Sequence, residues 1–148
     1  MKRLIVIGLL AASAFAADRL ADVRTIYIDS FGRSDGAEMI RQKFINRLAA
    51  SDKISITEDR ESADAILLGV GQVTAMESYS AVATTNNATA GGGTIFDATL
   101  VVRLVGRDKK ILWVSEAKPG RFMARSVSSS VANKVSKDFL KAIKKAGN

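Results

Sequence analysis

Cysteine and histidine are both absent from this 148-residue sequence, and proline occurs once. Without cysteine there is no disulfide framework, no thiol nucleophile and no thiol for attaching a lipid. Without histidine the commonest general base and the commonest zinc ligand are missing. Most hydrolase designs go with them, so the expectation is a protein that is not an enzyme and holds no cofactor or metal. Aromatic residues make up only 6%, which leaves few rings for stacking on nucleic-acid bases.

What is present begins with an export signature. Lys2 and Arg3 precede the apolar run Leu4 to Leu10, and Ala14-Phe15-Ala16 places small residues where a signal peptidase reads. Residues 1–16 are therefore expected to be a cleaved signal peptide. The run is too short for a permanent span, which needs about 20 residues. The remainder, 17–148, is expected to be one domain, periplasmic or extracellular, soluble and not lipid-anchored. Its net charge of +7 would fall with the loss of Lys2 and Arg3, leaving a modestly basic chain.

Hydrophobic periodicity outlines the elements. Val23 to Phe31 alternates as a half-buried strand. Asp35, with Glu38 three residues on, reads as a capping box. Ala37, Ile40, Phe44 and Leu48 then give an amphipathic helix over 37–50. Ile54 to Thr57 is a short strand. Ala63 to Val73 has the continuous apolar middle of a strand covered on both sides. Thr94 to Val105 sets Phe96, Ala98, Leu100, Val102 and Leu104 on one face, with Asp97, Thr99 and Arg103 on the other. A turn at 106–109 returns it as Ile111 to Ser115. Val127, Val131, Val135, Phe139 and Ile143 mark a second amphipathic helix over 126–145. The order predicts an α+β fold: one mixed, mostly antiparallel sheet of about five strands with two helices on one face. Residues 76–93, rich in Ser, Thr, Asn and Gly, are expected to be a flexible loop.

Four motifs bear on chemistry. Ser115 and Lys118 match a Ser-x-x-Lys pattern, but a strand end would turn the lysine away and no companion motif exists. Gly69, Gly71 and Thr74 fall short of a dinucleotide fingerprint and lie within a strand, where close packing explains the glycines. Glu58, Asp59, Glu61 and Asp64 cluster without a calcium loop's glycine or alternating ligands, so a solvated connection is expected. Lys134, Lys137, Lys141, Lys144 and Lys145 form a basic stripe, which serves either as a solvated helix face or as a contact for anionic lipid or another polyanion. Nucleic acid is the poorer partner, given export and the lack of interleaved aromatics.

Ile28-Asp29-Ser30-Phe31-Gly32, the helix at 40–48, Ser62-Ala63-Asp64-Ala65-Ile66-Leu67-Leu68-Gly69, and Leu100 to Val105 followed by Ile111-Leu112-Trp113 occur in an order that resembles the periplasmic α+β domain of CsgG-type curli-secretion proteins and the TolB amino-terminal domain. The resemblance covers nearly all of 23–145. It implies a non-enzymatic accessory module acting through contacts with envelope proteins, for which Asp97, Thr99 and Arg103 form a candidate partner-facing sheet. Secretion pores of that family are lipoproteins with long hairpins. The missing cysteine, and a stretch from Glu77 to Gly93 read as short and polar, argue against a pore here.

Overall fold

The structure, a computed structural model, describes residues 19–84, 87–118 and 124–147. The expected signal peptide lies outside them. A short 3-10 turn, Leu20–Asp22, leads into β1 (Thr25–Ile28), α1 (Asp35–Ala49), β2 (Ser55–Ile56), β3 (Ala65–Thr84), β4 (Asn87–Gly106), β5 (Ile111–Ala117) and α2 (Ala124–Ala146). The five strands form one sheet in the order β2-β1-β3-β4-β5. β1 runs parallel to both β2 and β3, and β3, β4 and β5 form an antiparallel meander. The α+β architecture expected from the sequence is the one observed.

Both helices sit on the same side of the sheet and touch each other. α1 buries Ala37, Ile40, Phe44 and Leu48, the residues its periodicity selected. α2 buries Val127, Val131, Ala132, Val135 and Phe139. They meet Ile26 and Ile28 of β1, Ala65 and Leu67 of β3, and Ala98, Leu100, Val102 and Leu104 of β4. Phe31 packs edge-on to Phe44 at 5.8 Å between ring centres, and Trp113 lies 4.9 Å from Phe139. The cap of α1 is Ser34, one residue earlier than the expected Asp35: its side chain accepts the amide of Ala37 at 3.2 Å.

Gly69 and Gly71 fall on the core face of β3 and leave room that side chains would fill. A Cβ on Gly69 would lie 2.4 Å from the Phe31 ring, and one on Gly71 would touch Ile40 and the backbone of Ala37. The glycines therefore let Phe31 and α1 approach the sheet, in keeping with the packing reading of the sequence.

Two expectations are corrected. Of the expected loop at 76–93, residues 85–86 lie outside the described residues, and 76–84 and 87–93 are strand: β3 and β4 continue as paired arms, with Glu77 opposite Thr94, Ser78 opposite Gly93 and Thr84 opposite Asn87. Ladder bonds join backbone groups, so a register set by the apolar pairs between 65 and 75 carries on through residues whose composition suggests a turn. β1 pairs with β3 only as far as Leu67, and β5 pairs with β4 only from Leu100. Past residue 72, then, the two arms pair only with each other among the described residues, over roughly 40 Å. Arms of 20 residues each also remove the length argument that a membrane-crossing hairpin could not fit. The second correction is that β3 is covered on one side only. Ala65 and Leu67 are fully buried, whereas Val70 is 68% exposed.

Candidate interaction surfaces

Strand alternation assigns the two faces of the sheet. Once Ala98, Leu100, Val102 and Leu104 point into the helices, Asp97, Thr99, Val101, Arg103 and Val105 must point away. Cross-strand register then places Val70 beside Val101, Leu68 beside Arg103, and Arg103 beside Val114. Val70, Val101 and Val114 are 68%, 38% and 57% exposed. No described element covers this face. A shallow depression of about 300 Å³ on it is lined by Ser30, Leu68, Gly69, Val70, Val101, Val102 and Arg103. The expected sheet residues are thus brought together, with Asp97 and Arg103 at two ends of an apolar centre. Neither forms a hydrogen bond or ion pair with a described residue. The sequence reading missed the valines. The available signal was Val101 itself, an apolar residue between Thr99 and Arg103 on that side of β4.

The helix layer carries the second surface. Lys134, Lys137, Lys141, Lys144 and Lys145 are all exposed along α2, and Lys134 is drawn toward Asp138 at 3.6 Å. The stripe is wider than the sequence suggested. Lys43 and Arg47 of α1 line a cleft of about 330 Å³ with Asn46, Ser129 and Asn133. Arg24 and Lys53 lie beside Ile143 and Lys144 at the end of α2.

The carboxylate cluster is spent on structure. Asp64 accepts the backbone amides of Arg24 and Thr25 at 2.9 and 2.8 Å, fixing the start of β1. Asp59 accepts the amide of Glu61 at 3.0 Å. Among the described residues no group of three or more acids gathers in a way that could hold a metal ion. Arg41, which the sequence gave no special role, donates to the carbonyls of Asp29 and Ile28 at 3.1 and 3.0 Å and ties α1 to the end of β1. Arg107 likewise donates to the carbonyls of Ala63 and Glu61 at 2.7 and 3.1 Å.

Ser115 and Lys118 do not form a catalytic pair. Ser115 stands opposite Val102 on the helix side of the sheet. Lys118 is an exposed ammonium 2.8 Å from Glu116, and hydrogen bonding to that carboxylate, reinforced by its charge, raises the lysine pKa. A lysine acting as a general base needs the opposite shift.

No family model matches the sequence, and no curated protein does. Solved structures do show the fold. A neuraminyllactose-binding hemagglutinin homologue from Helicobacter pylori superposes with a TM-score of 0.54 at 10% identity, covering 86% of each chain. The PelC dodecamer from Paraburkholderia phytofirmans gives 0.48 at 14% identity, covering 83% of this chain and 87% of that one. A PDZ domain protein from Parabacteroides distasonis gives 0.44 at 7% identity, over 78% of this chain and 32% of that one. None of the three carries the name of the curli-secretion or TolB proteins.

Proposed function

We propose that this chain is a non-enzymatic binding or accessory module that works through protein contacts in cell-envelope assembly or secretion. The single observation that carries the reading is a sheet covered by helices on one face and, among the described residues, by no element on the other, with Val70, Val101 and Val114 open to solvent. Contiguous apolar surface of this kind on a protein marks an interaction site. The unpaired backbone along the outer arms of β3 and β4 is a further surface suited to contacts, because edge strands accept additional strands. Export rests on the signature at residues 1–16, and the envelope setting on the sequence resemblance and the missing cysteine.

A photo-activatable residue in place of Val101 tests the reading. Irradiated in cells, it is expected to yield a discrete protein adduct that the same probe at exposed Lys109, on the hairpin turn away from the bare face, does not. If Val101 yields no more adduct than Lys109, the open face is not a contact surface.

A second reading is favoured by one observation, the exposure of all five lysines along α2 next to a cleft that Lys43 and Arg47 of α1 line with Ser129 and Asn133 of α2. That surface suits anionic lipid or another polyanion. Replacing Lys137, Lys141 and Lys144 by Gln is expected to weaken binding to phosphatidylglycerol vesicles by about tenfold or more, at roughly 1 kcal/mol for each cation near the surface. The wild-type binding should itself fall with salt. Equal binding by the variant refutes this reading.

A further inference from the structure

The open sheet face has a charge arrangement that fits itself. Asp97 and Arg103 lie on the same strand and the same face, six positions apart and so about 20 Å along β4. Between them Val70 and Val101 stand side by side in register and exposed to solvent. Arg103 also has apolar neighbours across both strands, Leu68 and Val114. Glu116, diagonal to it beside Val101, is taken up by Lys118 at 2.8 Å, and a guanidinium with no hydrogen bond or ion pair among the described residues is matched by a carboxylate brought from outside.

We propose that the open face seats a second copy of this chain, sheet against sheet, with Arg103 of one protomer paired to Asp97 of the other. This rests on the protein-contact reading above and names its partner. A two-fold axis lying between the sheets and perpendicular to the strands reverses the strand direction. It carries Asp97 onto the position facing Arg103, and the same rotation makes the second, equivalent pair. That is the self-complementarity an isologous interface requires. The axis passes at the level where Gly71 and Leu100 are paired, so Val70 and Val101 of each protomer lie beside it and face Gln72 and Thr99 of the other. Sheets stacked in this way lie about 10 Å apart with their strands turned by about 30°, a gap that an arginine and an aspartate span together. β3 and β4 run the whole of the roughly 30 Å from Asp97 to Val105, whereas β5 flanks them only from Leu100 and β1 only as far as Leu67, giving roughly 430 Å² per protomer and about 860 Å² in all at about 4.8 Å per strand. That is below the roughly 1,200 Å² at which stable specific interfaces begin and falls among weak, transient ones. The pair is therefore reversible and dissociates on dilution. A foreign partner would need its own matching acid and base at the same separation, whereas a second copy carries them already.

Sedimentation velocity over a concentration series, on protein purified from cells expressing the full chain, tests the proposal. The wild type is expected to shift from monomer to dimer with rising concentration. Asp97→Arg and Arg103→Asp each place like charges opposite one another twice, and each should weaken dimerisation by about tenfold or more. Mixed in equal amounts, the two variants should associate to within about threefold of the wild type, because every charge then faces its opposite. Circular dichroism melts of both variants, unchanged from the wild type, exclude unfolding as the cause. A wild type that stays monomeric up to about 1 mM overturns the proposal, as does unimpaired dimerisation of the single variants or a mixture that fails to recover. The probe at Val101 separates the two levels. A monomeric wild type with a foreign adduct at Val101 defeats the self-pairing and leaves the contact reading standing, whereas a monomer with no adduct defeats both.

Discussion

Replacing Gly69 by alanine adds one methyl group at the tightest point in the molecule. Its carbon would stand 2.4 Å from Cδ1 and 2.5 Å from Cε1 of Phe31, where carbon atoms prefer about 3.5–4.0 Å. Something must retreat by about 1 Å. The ring is fully buried and held edge-on by Phe44, so it has no open side. The backbones are pinned as well: the Gly71 amide donates to the Phe31 carbonyl at 2.8 Å and the Asp29 amide to the Leu67 carbonyl at 3.0 Å. Overpacking of this sort costs about 1–3 kcal/mol. Alanine offsets some of that, because glycine within a strand costs about 0.5–1 kcal/mol in chain entropy. The expected net loss is about 1 kcal/mol, read as a lower midpoint in equilibrium urea unfolding at an unchanged slope. Phe31→Ala alone should cost about 3–5 kcal/mol by leaving a cavity. In the double variant the clash is gone, so the two losses should fall short of their sum by about 2 kcal/mol, within the range known for touching residues. Gly93→Ala is the control. No atom lies within 4 Å of the added carbon, so stability should hold or rise. Additive losses for Gly69 and Phe31, or a Gly69→Ala variant within about 0.5 kcal/mol of the wild type, would refute the account of why β3 carries glycine there.

Arg41→Met is expected to cost about 1.5–3 kcal/mol in the same urea assay, because the Asp29 and Ile28 carbonyls lose a charged donor in a partly buried position. Arg41→Lys should recover little of it, since an ammonium cannot reach both carbonyls with a planar fork; recovery to wild-type stability would contradict the assignment. In the turn between β4 and β5, Asp108 accepts the amide of Lys110 at 3.1 Å and pairs with its ammonium at 3.0 Å. The side-chain contact with Lys110, with its backbone amide next, lowers the Asp108 pKa below the ordinary carboxylate value. Its contribution to stability is therefore complete above that ordinary value and is lost as pH falls through the lowered one. Carboxyl carbon chemical shifts across an acid titration should place the Asp108 midpoint below those of Asp carboxyls for which no such contact exists, and a midpoint at or above them would contradict the turn geometry.

The helices were the most legible part of the chain. Ala37, Ile40, Phe44 and Leu48, and Val127, Val131, Val135 and Phe139, repeat at the spacing that puts them on one side of a helix, and those residues are buried. The alternation from Phe96 to Leu104 likewise identified which face of β4 meets them. The outer hairpin was not legible. Ser, Thr, Asn and three consecutive glycines favour turns when taken locally, yet Gly91 to Gly93 pair with Ser78 to Ser80 because the register was fixed farther down. The ends of the capping and anchoring network were hidden for a similar reason. Asp64 meets amides about forty residues earlier in the chain and Arg107 meets carbonyls a similar distance back, separations that no local pattern records.

The sequence by itself determined which side chains of each element must be buried and which polar residues share a face, because those follow from the 3.6- and 2-residue periods of a chain with itself. Which strands neighbour one another was decided only in the tertiary structure. So were the length of the hairpin and the bareness of the second sheet face. A continuous apolar run such as Ile66 to Val70 reads the same whether one side or two are covered. Coverage depends on where the helices go, and here both pack on one side, leaving Val70 and Val101 between an acid and a base that have no partner among the described residues.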